Sequence, residues 1–487
     1  MNRRSNYIFP GIILVILLFN SFIIYGQNYH AIQGSSYAGS IGVHNNPASI
    51  VNTPFKWDVT LLGVQGKVST NILTIRNYSL LSSPATSEYV YNWGLSKKFG
   101  IVSTNLNILN ARIAIDRKRS IAFGANVRAY ANIRSNDYYY FDSLKTVSAF
   151  LEPNLRNQPL GAEFVNSSWI ELYGTYAQTI FDNESGRLNA GVTLKVSRGL
   201  SGTHASIADG RFSPFTSPTP QFSLDNITAR YGYSSNLDQW SDENNAGSNI
   251  RNLAKFAQSG ASLDFGAEWL IRAGDVPAYD EDNYFDYEWK IGLSLLDVGL
   301  NQFRYSNNSR TATGFQPNMT SQNLLRKFDS TINSIRTFND SLATTVAQIS
   351  ALSGVYRILN PARMVLNIDK YITGNFFVNG ELSLNLAGIF GKKRFYVQEM
   401  NLLTVTPRWE TSKLGVYLPF SFNTQKQLWM GAAFKAGPLL FGLHNLGYIF
   451  SKESLLKGGG YIALIIRAPG STGSKRYRGL DCPPNVW

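Results

Sequence analysis

Residues 121–134 read IAFGANVRAYANIR, and their side chains alternate between two kinds along the whole stretch. A period of two is that of a β-strand, because successive strand side chains point to opposite faces. One register held over this length exceeds the usual strand of about five or six residues. It suits a transmembrane β-strand, which needs about 9–11 residues with one apolar and one polar face. One face carries Ile121, Phe123, Ala125, Val127, Ala129, Ala131 and Ile133, and the other carries Ala122, Gly124, Asn126, Arg128, Tyr130, Asn132 and Arg134.

The same alternation returns in residues 188–197, 287–295 and 376–385. Charged residues make up 16% of the chain and aromatic residues 13%, and the mean hydropathy is −0.14. Few charges with many aromatic residues exclude a disordered protein. No internal run of about 18 apolar residues occurs, which excludes a helical membrane protein. The composition therefore indicates a β-rich chain with apolar side chains that face something other than a core.

Alternation by itself leaves two architectures open, since a soluble barrel or sandwich would turn the apolar face inward. The polar faces carry charges of both signs, and tight turns such as 117–120 alternate with long connections such as 201–260. Both features are typical of outer-membrane barrels. The sequence predicts an all-β, antiparallel transmembrane β-barrel of about fourteen strands, with twelve or sixteen as alternatives. The predicted strands are 56–73, 101–116, 121–134, 167–181, 188–200, 261–273, 284–304, 362–371, 374–386, 395–409, 414–423, 428–436, 439–447 and 459–467.

The amino terminus predicts a secretory signal peptide over residues 1–26. Arg3 and Arg4 precede an apolar run, and Gly26 offers a small residue at the cleavage position. A single membrane anchor is the alternative, because residues 8–26 are nearly long enough to span a bilayer. The lone cysteine, Cys482, excludes an intramolecular disulfide framework and favours a bacterial envelope. We therefore expect the protein in the bacterial outer membrane, in contact with its lipid.

Two further patterns refine the barrel prediction. Five tryptophans lie near predicted strand ends and indicate aromatic girdles at the membrane surfaces, although tryptophan also favours strands in general. Residues 321–353 show apolar side chains every three or four positions, which predicts an amphipathic helix inside the longest loop. We expect this helical insertion to cover the barrel mouth or enter the lumen, with a docking site for a partner as the alternative. The tryptophans are Trp57, Trp169, Trp289, Trp409 and Trp429, and the stripe contains Leu324, Phe328, Ile332, Ile335, Phe338, Leu342, Val346, Ile349 and Leu352.

Short motifs carry a resemblance to known barrels. The stretch 34–42, GSSYAGSIG, followed by Asn45-Asn46-Pro47-Ala48, resembles the start of FadL-like fatty-acid-transporter barrels of the outer membrane. Residues 289–299 and 437–447 resemble uncharacterised barrels of gliding bacteria, related to barrels associated with gliding and type IX secretion. The resemblance implies a hatch-like segment, 27–55, that enters the lumen of a barrel formed by 56–467, with a periplasmic tail at 468–487. It places Asn46, Pro47 and Ala48 in that inner segment, whereas an ordinary turn is the alternative.

The polar strand faces supply candidate lumen residues, and no residues suggest catalysis. The sequence contains no GxSxG elbow, no HExxH motif and no phosphate-binding glycine loop, and its four histidines have no metal-ligand spacing. We expect no enzyme activity and no cofactor. The excess of Lys and Arg (45) over Asp and Glu (32) is scattered, so nucleic acid is not an expected partner. The lumen candidates are Asn126, Arg128, Arg134, Lys195, Glu288, Lys290, Glu381 and His444.

Two functions remain open at this point. The first is a passive channel or transporter, for small apolar substrates as the FadL-like resemblance implies. The second is a surface-assembly or secretion-associated barrel that anchors a surface protein partner. An open lumen would favour the first function and a closed lumen the second. A soluble extracellular β-protein is a third alternative and requires apolar faces that point inward.

Overall fold

The computed structural model describes residues 29–77, 79, 87–140, 146–216, 221–272, 287–328, 332–390, 394–450 and 457–468. The predicted signal peptide, Cys482 and almost all of the predicted tail lie outside the described residues.

The chain forms a closed antiparallel barrel of 14 strands, which confirms the predicted fold class. Each strand pairs with the next along the chain, and the last pairs with the first from Asp58↔Arg467 to Ser69↔Lys457. Strands β11 and β12 are each interrupted once, beside Pro419 and Gly431, where the Gly431 amide donates to the Pro419 carbonyl at 2.8 Å. The strands are β1 (Trp57–Thr70), β2 (Gly94–Ala114), β3 (Arg119–Tyr140), β4 (Leu160–Asn183), β5 (Gly186–Phe215), β6 (Ser259–Ile271), β7 (Trp289–Arg304), β8 (Arg363–Thr373), β9 (Phe376–Asn385), β10 (Leu402–Glu410), β11 (Leu414–Tyr417 and Phe420–Asn423), β12 (Leu428–Met430 and Ala432–Ala436), β13 (Leu439–Leu443) and β14 (Lys457–Arg467).

The two ends of the barrel differ. At one end, which we call the short-turn end, most hairpins close within a few residues, as at 115–118, 184–185 and 437–438. Strand β1 begins and β14 ends there. Most connections at the opposite, long-loop end are longer. This asymmetry is typical of outer-membrane barrels, in which the short turns are periplasmic.

The apolar strand faces point outward. On β3, Phe123 and Ile133 are exposed, whereas Asn126, Arg128 and Asn132 between them are buried in the interior. The same division holds on β5, where Leu194 and Val196 are exposed and Lys195 is buried. A belt of exposed apolar side chains around a polar interior is the arrangement of a lipid-embedded barrel and contradicts the soluble alternative.

The prediction of tryptophan girdles is correct only in part. Trp57 and Trp289 are exposed on the exterior near the short-turn end, and Trp409 is half-buried near the same end. Trp169 and Trp429 are fully buried in the interior, so the girdle interpretation is wrong for these two. The physical reason is the register: each lies on the inward face of its strand. Trp169 stacks on Tyr130 there, with ring centres 5.4 Å apart.

Beyond the barrel, the long-loop end carries additional sheet. Strands β3 to β5 extend past their neighbours, and further strands pair with them or with each other. Within the described residues, no helix is both long and apolar enough to cross a membrane. The extra strands are Leu73–Arg76, Glu88–Tyr91, Gln221–Tyr233, Arg310–Phe315, Val346–Ala351, Val355–Leu359 and Phe395–Tyr396. The α-helices are α1 (Val147–Leu151), α2 (Ala246–Lys255), α3 (Ser321–Lys327), α4 (Ile335–Ala343), α5 (Ala387–Phe390) and α6 (Gly447–Phe450).

The single helix predicted over 321–353 is wrong in detail. Helices α3 and α4 occupy its first part, but Val346–Ala351 is a strand paired with Arg310–Phe315. The β-branched residues Val346 and Ile349 favour this extended backbone. Part of the apolar stripe packs on the added sheet, against Ile227, Ala229, Tyr231 and Ala312, whereas Leu324 packs beside Phe222 and Leu352 packs against the aromatic cluster of Tyr130 and Trp169. The stripe residues on the added sheet are Phe328, Phe338, Leu342, Val346 and Ile349.

Candidate functional site

The lumen is occupied by the amino-terminal segment 29–55, which we call the plug. It forms three short 3₁₀ helices, His30–Ile32, Gly39–His44 and Pro47–Val51, and pairs with no barrel strand. Its apolar side chains, Ile32 and Ile50 among them, are almost completely buried. The glycine- and asparagine-rich sequence explains why this segment turns repeatedly instead of extending into a strand.

The Asn46-Pro47-Ala48 motif starts the third of these helices. The Asn46 side chain accepts a hydrogen bond from the Ala48 amide at 2.9 Å, and Pro47 occupies the first helical position. Asparagine at a helix cap and proline after it are both favoured, because proline lacks the N–H that would be unpaired there. The motif is therefore a turn and also part of the lumenal segment, so the two interpretations of the sequence are compatible.

Three glycines of the barrel wall form a seat for this motif. A Cβ atom at Gly191 on β5 would lie 2.6 Å from the Pro47 carbonyl carbon and 2.7 Å from the Ala48 nitrogen. At Gly266 on β6, which pairs directly with Gly191, a Cβ would lie 2.8 Å from Pro47 Cδ. At Gly292 on β7 it would lie 2.9 Å from the Asn46 side-chain nitrogen. Only residues without a side chain allow the plug to approach the wall this closely.

Arginines from the wall hold the plug by its polar groups. Arg112 on β2 donates to the Ile50 carbonyl at 2.6 Å and to the Phe55 carbonyl at 2.7 Å. Arg187 on β5 donates to the Asn52 side-chain oxygen at 2.6 Å. Two further contacts reach plug carbonyls, from Arg363 on β8 to His44 at 3.0 Å and from Arg467 on β14 to Tyr37 at 3.1 Å. These donors satisfy carbonyl groups that a non-repetitive, buried segment would otherwise leave unpaired.

Wall carboxylates accept hydrogen bonds from the plug in the same way. The Ser40 amide donates to Asp58 on β1 at 2.5 Å. The Asn45 side chain donates to Glu381 on β9 at 2.9 Å, and the Ser35 hydroxyl donates to Glu410 on β10 at 2.7 Å. Contacts of both signs thus reach the plug from many directions around the barrel, and the plug is fixed without joining the sheet.

One side of the lumen is apolar. Strands β11 to β14 present buried apolar side chains inward, and the plug covers them with Tyr29, Ala31, Ile32, Ala38 and Ile41. This patch is one of two apolar surfaces that the plug contacts, and the other joins Val43, Ile50 and Val51 of the plug to β3 and β4. The wall side chains in the patch are Tyr417, Ala433, Leu440, Tyr461, Ala463 and Ile465.

A layer of ion pairs, which we call the charged layer, joins β3 to β7 along one side of the lumen beside the plug, on its long-loop side. Asp297 on β7 accepts two bonds from Arg128 at 2.5 and 2.8 Å and one from Lys195 at 2.7 Å. Lys195 also pairs with Asp264 at 2.7 Å. Asp297 has a positive φ of 58° at a register shift in β7, a β-bulge that redirects its side chain into the lumen. Because each charge is paired, the layer is a packed part of the interior.

Little free space lies directly beside the plug in the part of the chain that the structure describes. Two small cavities lie beside the plug. Their volumes are about 20 and 10 Å³, and each has room for about one water molecule. The first is lined by Glu268, Asn367 and the seat glycine Gly292, and the second by Gln65 and Arg128. Strand pairing is continuous around the ring, so the wall shows no gap between neighbouring strands.

The predicted lumen residues divide into two groups. Asn126, Arg128, Lys195, Lys290, Glu381 and His444 are buried in the interior, and the first three lie together around the charged layer. Arg134 and Glu288 lie at opposite ends of the barrel instead, where they pair with Glu163 and Lys370. Strand alternation predicts the facing of a side chain but not its height along the barrel, and Arg134 also contacts the Tyr396 hydroxyl. Asn126 is bonded to Asn107 at 2.7 Å and to Glu171 at 3.2 Å, so its face is packed rather than freely wet.

A family model matches residues 47–444. The chain belongs to the family of unknown function DUF5723. The match covers nearly the whole barrel and begins at Pro47 of the seated motif. No curated protein matches the sequence. Among the described residues of this DUF5723 protein, no group of three or more His, Cys, Asp or Glu side chains could hold a metal ion.

Solved structures resemble the chain at low identity. A FadL homologue of Pseudomonas aeruginosa is 12% identical, with 91% of this chain and 97% of that chain covered and a TM-score of 0.40. The deltaS2S3 mutant of the monoaromatic hydrocarbon channel TodX is 10% identical, with 91% and 97% covered and a TM-score of 0.41. The Ralstonia pickettii toluene transporter TbuX is 11% identical, with 91% and 98% covered and a TM-score of 0.32. These values are low, so the function proposed below rests on the geometry of this DUF5723 chain.

Several residues of the site were not predicted from the sequence. Asp58, Arg112 and Asp297 occur at single positions in strands, with no motif around them. The glycines of the seat have no specific sequence signal either, since a glycine in a strand can also indicate a bulge or have no structural role. One signal was available: Gly191, Gly266 and Gly292 each occupy a position on the polar, inward face of a strand and leave that position without a side chain.

Proposed function

We propose that the protein is an outer-membrane channel that the plug closes at rest and that passes small apolar molecules when the plug moves. The observation that carries this proposal is the plug itself. It fills the lumen but contributes no strand to the wall, so it can leave without breaking the sheet. A barrel of this strand number encloses a lumen too wide for wall side chains alone to fill.

The nature of the cargo follows from the wall that the plug covers. Displacement of the plug uncovers the apolar patch of β11 to β14, including Leu440 and Ile465. An apolar solute that moves along this patch replaces the contacts of Tyr29, Ile32 and Ile41 and keeps water away from the apolar wall side chains. A hydrophilic solute offers no such replacement, so we expect weaker passage of sugars and ions.

A reversible lock tests the proposal. The Ser40 hydroxyl of the plug lies 2.9 Å from the Thr60 hydroxyl of β1, which suits a disulfide between Ser40→Cys and Thr60→Cys in a Cys482→Ser background. In cells that display the protein, we expect oxidation to stop uptake of the apolar dye phenylnaphthylamine and reduction to restore it. The Cys482→Ser parent is the control and should not respond. Equal uptake in the oxidised and reduced states would refute a channel gated by the plug.

A second candidate is a non-catalytic barrel that anchors a surface protein, as the resemblance to gliding- and secretion-associated barrels implies. The ordered sheet beyond the barrel, with strands Gln221–Tyr233 and Arg310–Phe315, favours this candidate because it presents a large structured surface at the long-loop end. No dye uptake in either redox state, together with a protein that co-purifies through this sheet, would favour anchoring.

A further inference from the structure

Residues 394–401, which we call the inner loop, fold into the lumen from the long-loop end. They belong to the connection between β9 and β10. Phe395–Tyr396 pairs in parallel with Ile358 and Leu359, and the Val397 amide then donates to the Leu359 carbonyl at 3.1 Å. Val397, Glu399 and Met400 are 0%, 6% and 2% exposed. Connecting segments normally run over the surface, so burial of this one requires a specific reason.

Glu399 ties the inner loop to opposite sides of the barrel. Its carboxylate accepts from Arg363 on β8 at 2.9 Å and from the Tyr130 hydroxyl on β3 at 3.1 Å, and lies 3.7 Å from the Lys67 ammonium on β1. Strands β1 and β8 are half-way round the ring from each other. One carboxylate that reaches both therefore lies across the middle of the lumen.

Apolar neighbours fill the space around this carboxylate. Met400 packs with Ile101 on β2 and Trp429 on β12. Val397 packs in the aromatic cluster that includes Trp169 and Phe303. The inner loop thus contacts both the charged and the apolar parts of the wall, on the far side of the charged layer from the plug's seat.

The Arg363 side chain joins the inner loop to the plug. One terminal nitrogen of Arg363 donates to Glu399 at 2.9 Å, and the other donates to the His44 carbonyl of the plug at 3.0 Å. A guanidinium is planar and holds its donors in a fixed fork, so a shift toward one partner moves it relative to the other.

We propose that the inner loop is a second closure of the lumen, in series with the plug, and that Arg363 couples the two. This inference rests on the channel function proposed above. Two closures in series each obstruct the passage, so removal of either one leaves the other in the lumen. Coupling through Arg363 means that loosening the inner loop also loosens the plug.

Single-channel conductance in planar bilayers tests the series arrangement. The variants are deletion of residues 29–51, replacement of 387–400 by a short Asn-Gly turn, and both together. The turn is feasible because β9 and β10 remain paired at Ser383↔Leu402. Heat-modifiable migration verifies that each barrel is folded. A matched control replaces 317–344, which belongs to the same end but packs on the outer sheet.

We expect each single variant and the control to conduct as little as the wild type, and the double variant to conduct strongly. Full conductance after the plug deletion alone would overturn the second closure and leave the channel proposal standing. A folded double variant that stays silent would overturn the channel proposal, and this inference with it.

Thiol labelling of the plug tests the coupling. Val51 is buried in the plug, so the labelling rate of Val51→Cys, in a Cys482→Ser background, reports plug opening. We expect Glu399→Gln to raise this rate about 5-fold or more, the lower end of measured coupling between sites. In an Arg363→Lys background, Glu399→Gln should have no further effect, because the single nitrogen of a flexible lysine does not hold the two partners in a fixed fork. An equal effect of Glu399→Gln with Arg363 and with Lys at that position would refute coupling through the guanidinium.

Discussion

Substitution of Gly191 by alanine should unseat the plug while it leaves the barrel intact. The new Cβ would lie 2.6 Å from the Pro47 carbonyl carbon, whereas ordinary contact begins at 3.4 Å. The plug must therefore move by roughly 0.8 Å, which stretches the bond from the Asn46 side chain to the Ala267 carbonyl, now 2.9 Å, beyond hydrogen-bond range. The strand itself accepts alanine, because Gly191 needs no positive φ.

The magnitude follows from these two losses. Overpacking of a tight site costs about 1–3 kcal/mol. A lost hydrogen bond adds about 1 kcal/mol. The seated state should thus be destabilised by about 2–4 kcal/mol, which raises the open fraction roughly 30- to 700-fold at about 1.4 kcal/mol for each factor of ten.

The assay is the maleimide labelling rate of Val51→Cys in a Cys482→Ser background, with and without Gly191→Ala. Labelling reads the position of the plug and does not depend on conductance or cargo. The matched control is Gly174→Ala on β4, where an added Cβ meets no atom within 4 Å. If Gly191→Ala and Gly174→Ala give equal labelling rates, the glycine seat does not hold the plug.

Three further predictions address the wall and the long-loop end. Val127→Arg places a charge on the exterior of β3 and should cost about 2–4 kcal/mol in the urea unfolding of the barrel in lipid, whereas Val127→Leu should be tolerated; similar unfolding midpoints would contradict the facing of β3. Brominated lipid should quench the fluorescence of Trp269 but not that of Trp169, because Trp269 is 49% exposed and Trp169 is 0% exposed. The contribution of each tryptophan is the fluorescence that is lost in Trp269→Phe or in Trp169→Phe. Replacement of 317–344 by a Gly/Ser turn should give a folded barrel with unchanged dye uptake, because Phe315 and Val346 are already paired and the removed helices pack outside the lumen. Increased uptake would instead support the sequence prediction that this segment covers the mouth of the barrel.

The sequence by itself determined the barrel. The fourteen predicted strands each correspond to an observed strand, because a wall with lipid outside and polar groups inside imposes a period of two on every crossing. Boundaries were less exact at the long-loop end, where β3 to β5 continue beyond the predicted limits. Strand alternation also assigned the faces of Asn126, Arg128 and Lys195, since facing is a local property of an extended chain.

Contacts between distant parts of the chain needed the tertiary structure. Trp169 and Trp429 were assigned to the girdles because they lie near strand ends, and the structure shows that both pack in the interior against side chains from other strands. The 321–353 stripe has a helical spacing, yet it spans two helices and a strand, and its side chains pack in three separate clusters.

The filling of the lumen likewise depends on the tertiary structure. Gly191, Gly266 and Gly292 are far from Asn46 in sequence, and only the curvature of the wall brings them to the plug. Glu399 was placed in a predicted strand, 395–409, because its neighbours alternate, yet Arg363, Tyr130 and Lys67 draw it into the lumen. Period and composition indicate which environment one segment can face, whereas the position of a buried charge depends on partners elsewhere in the chain; Tyr130 and Lys67 lie hundreds of residues from Glu399.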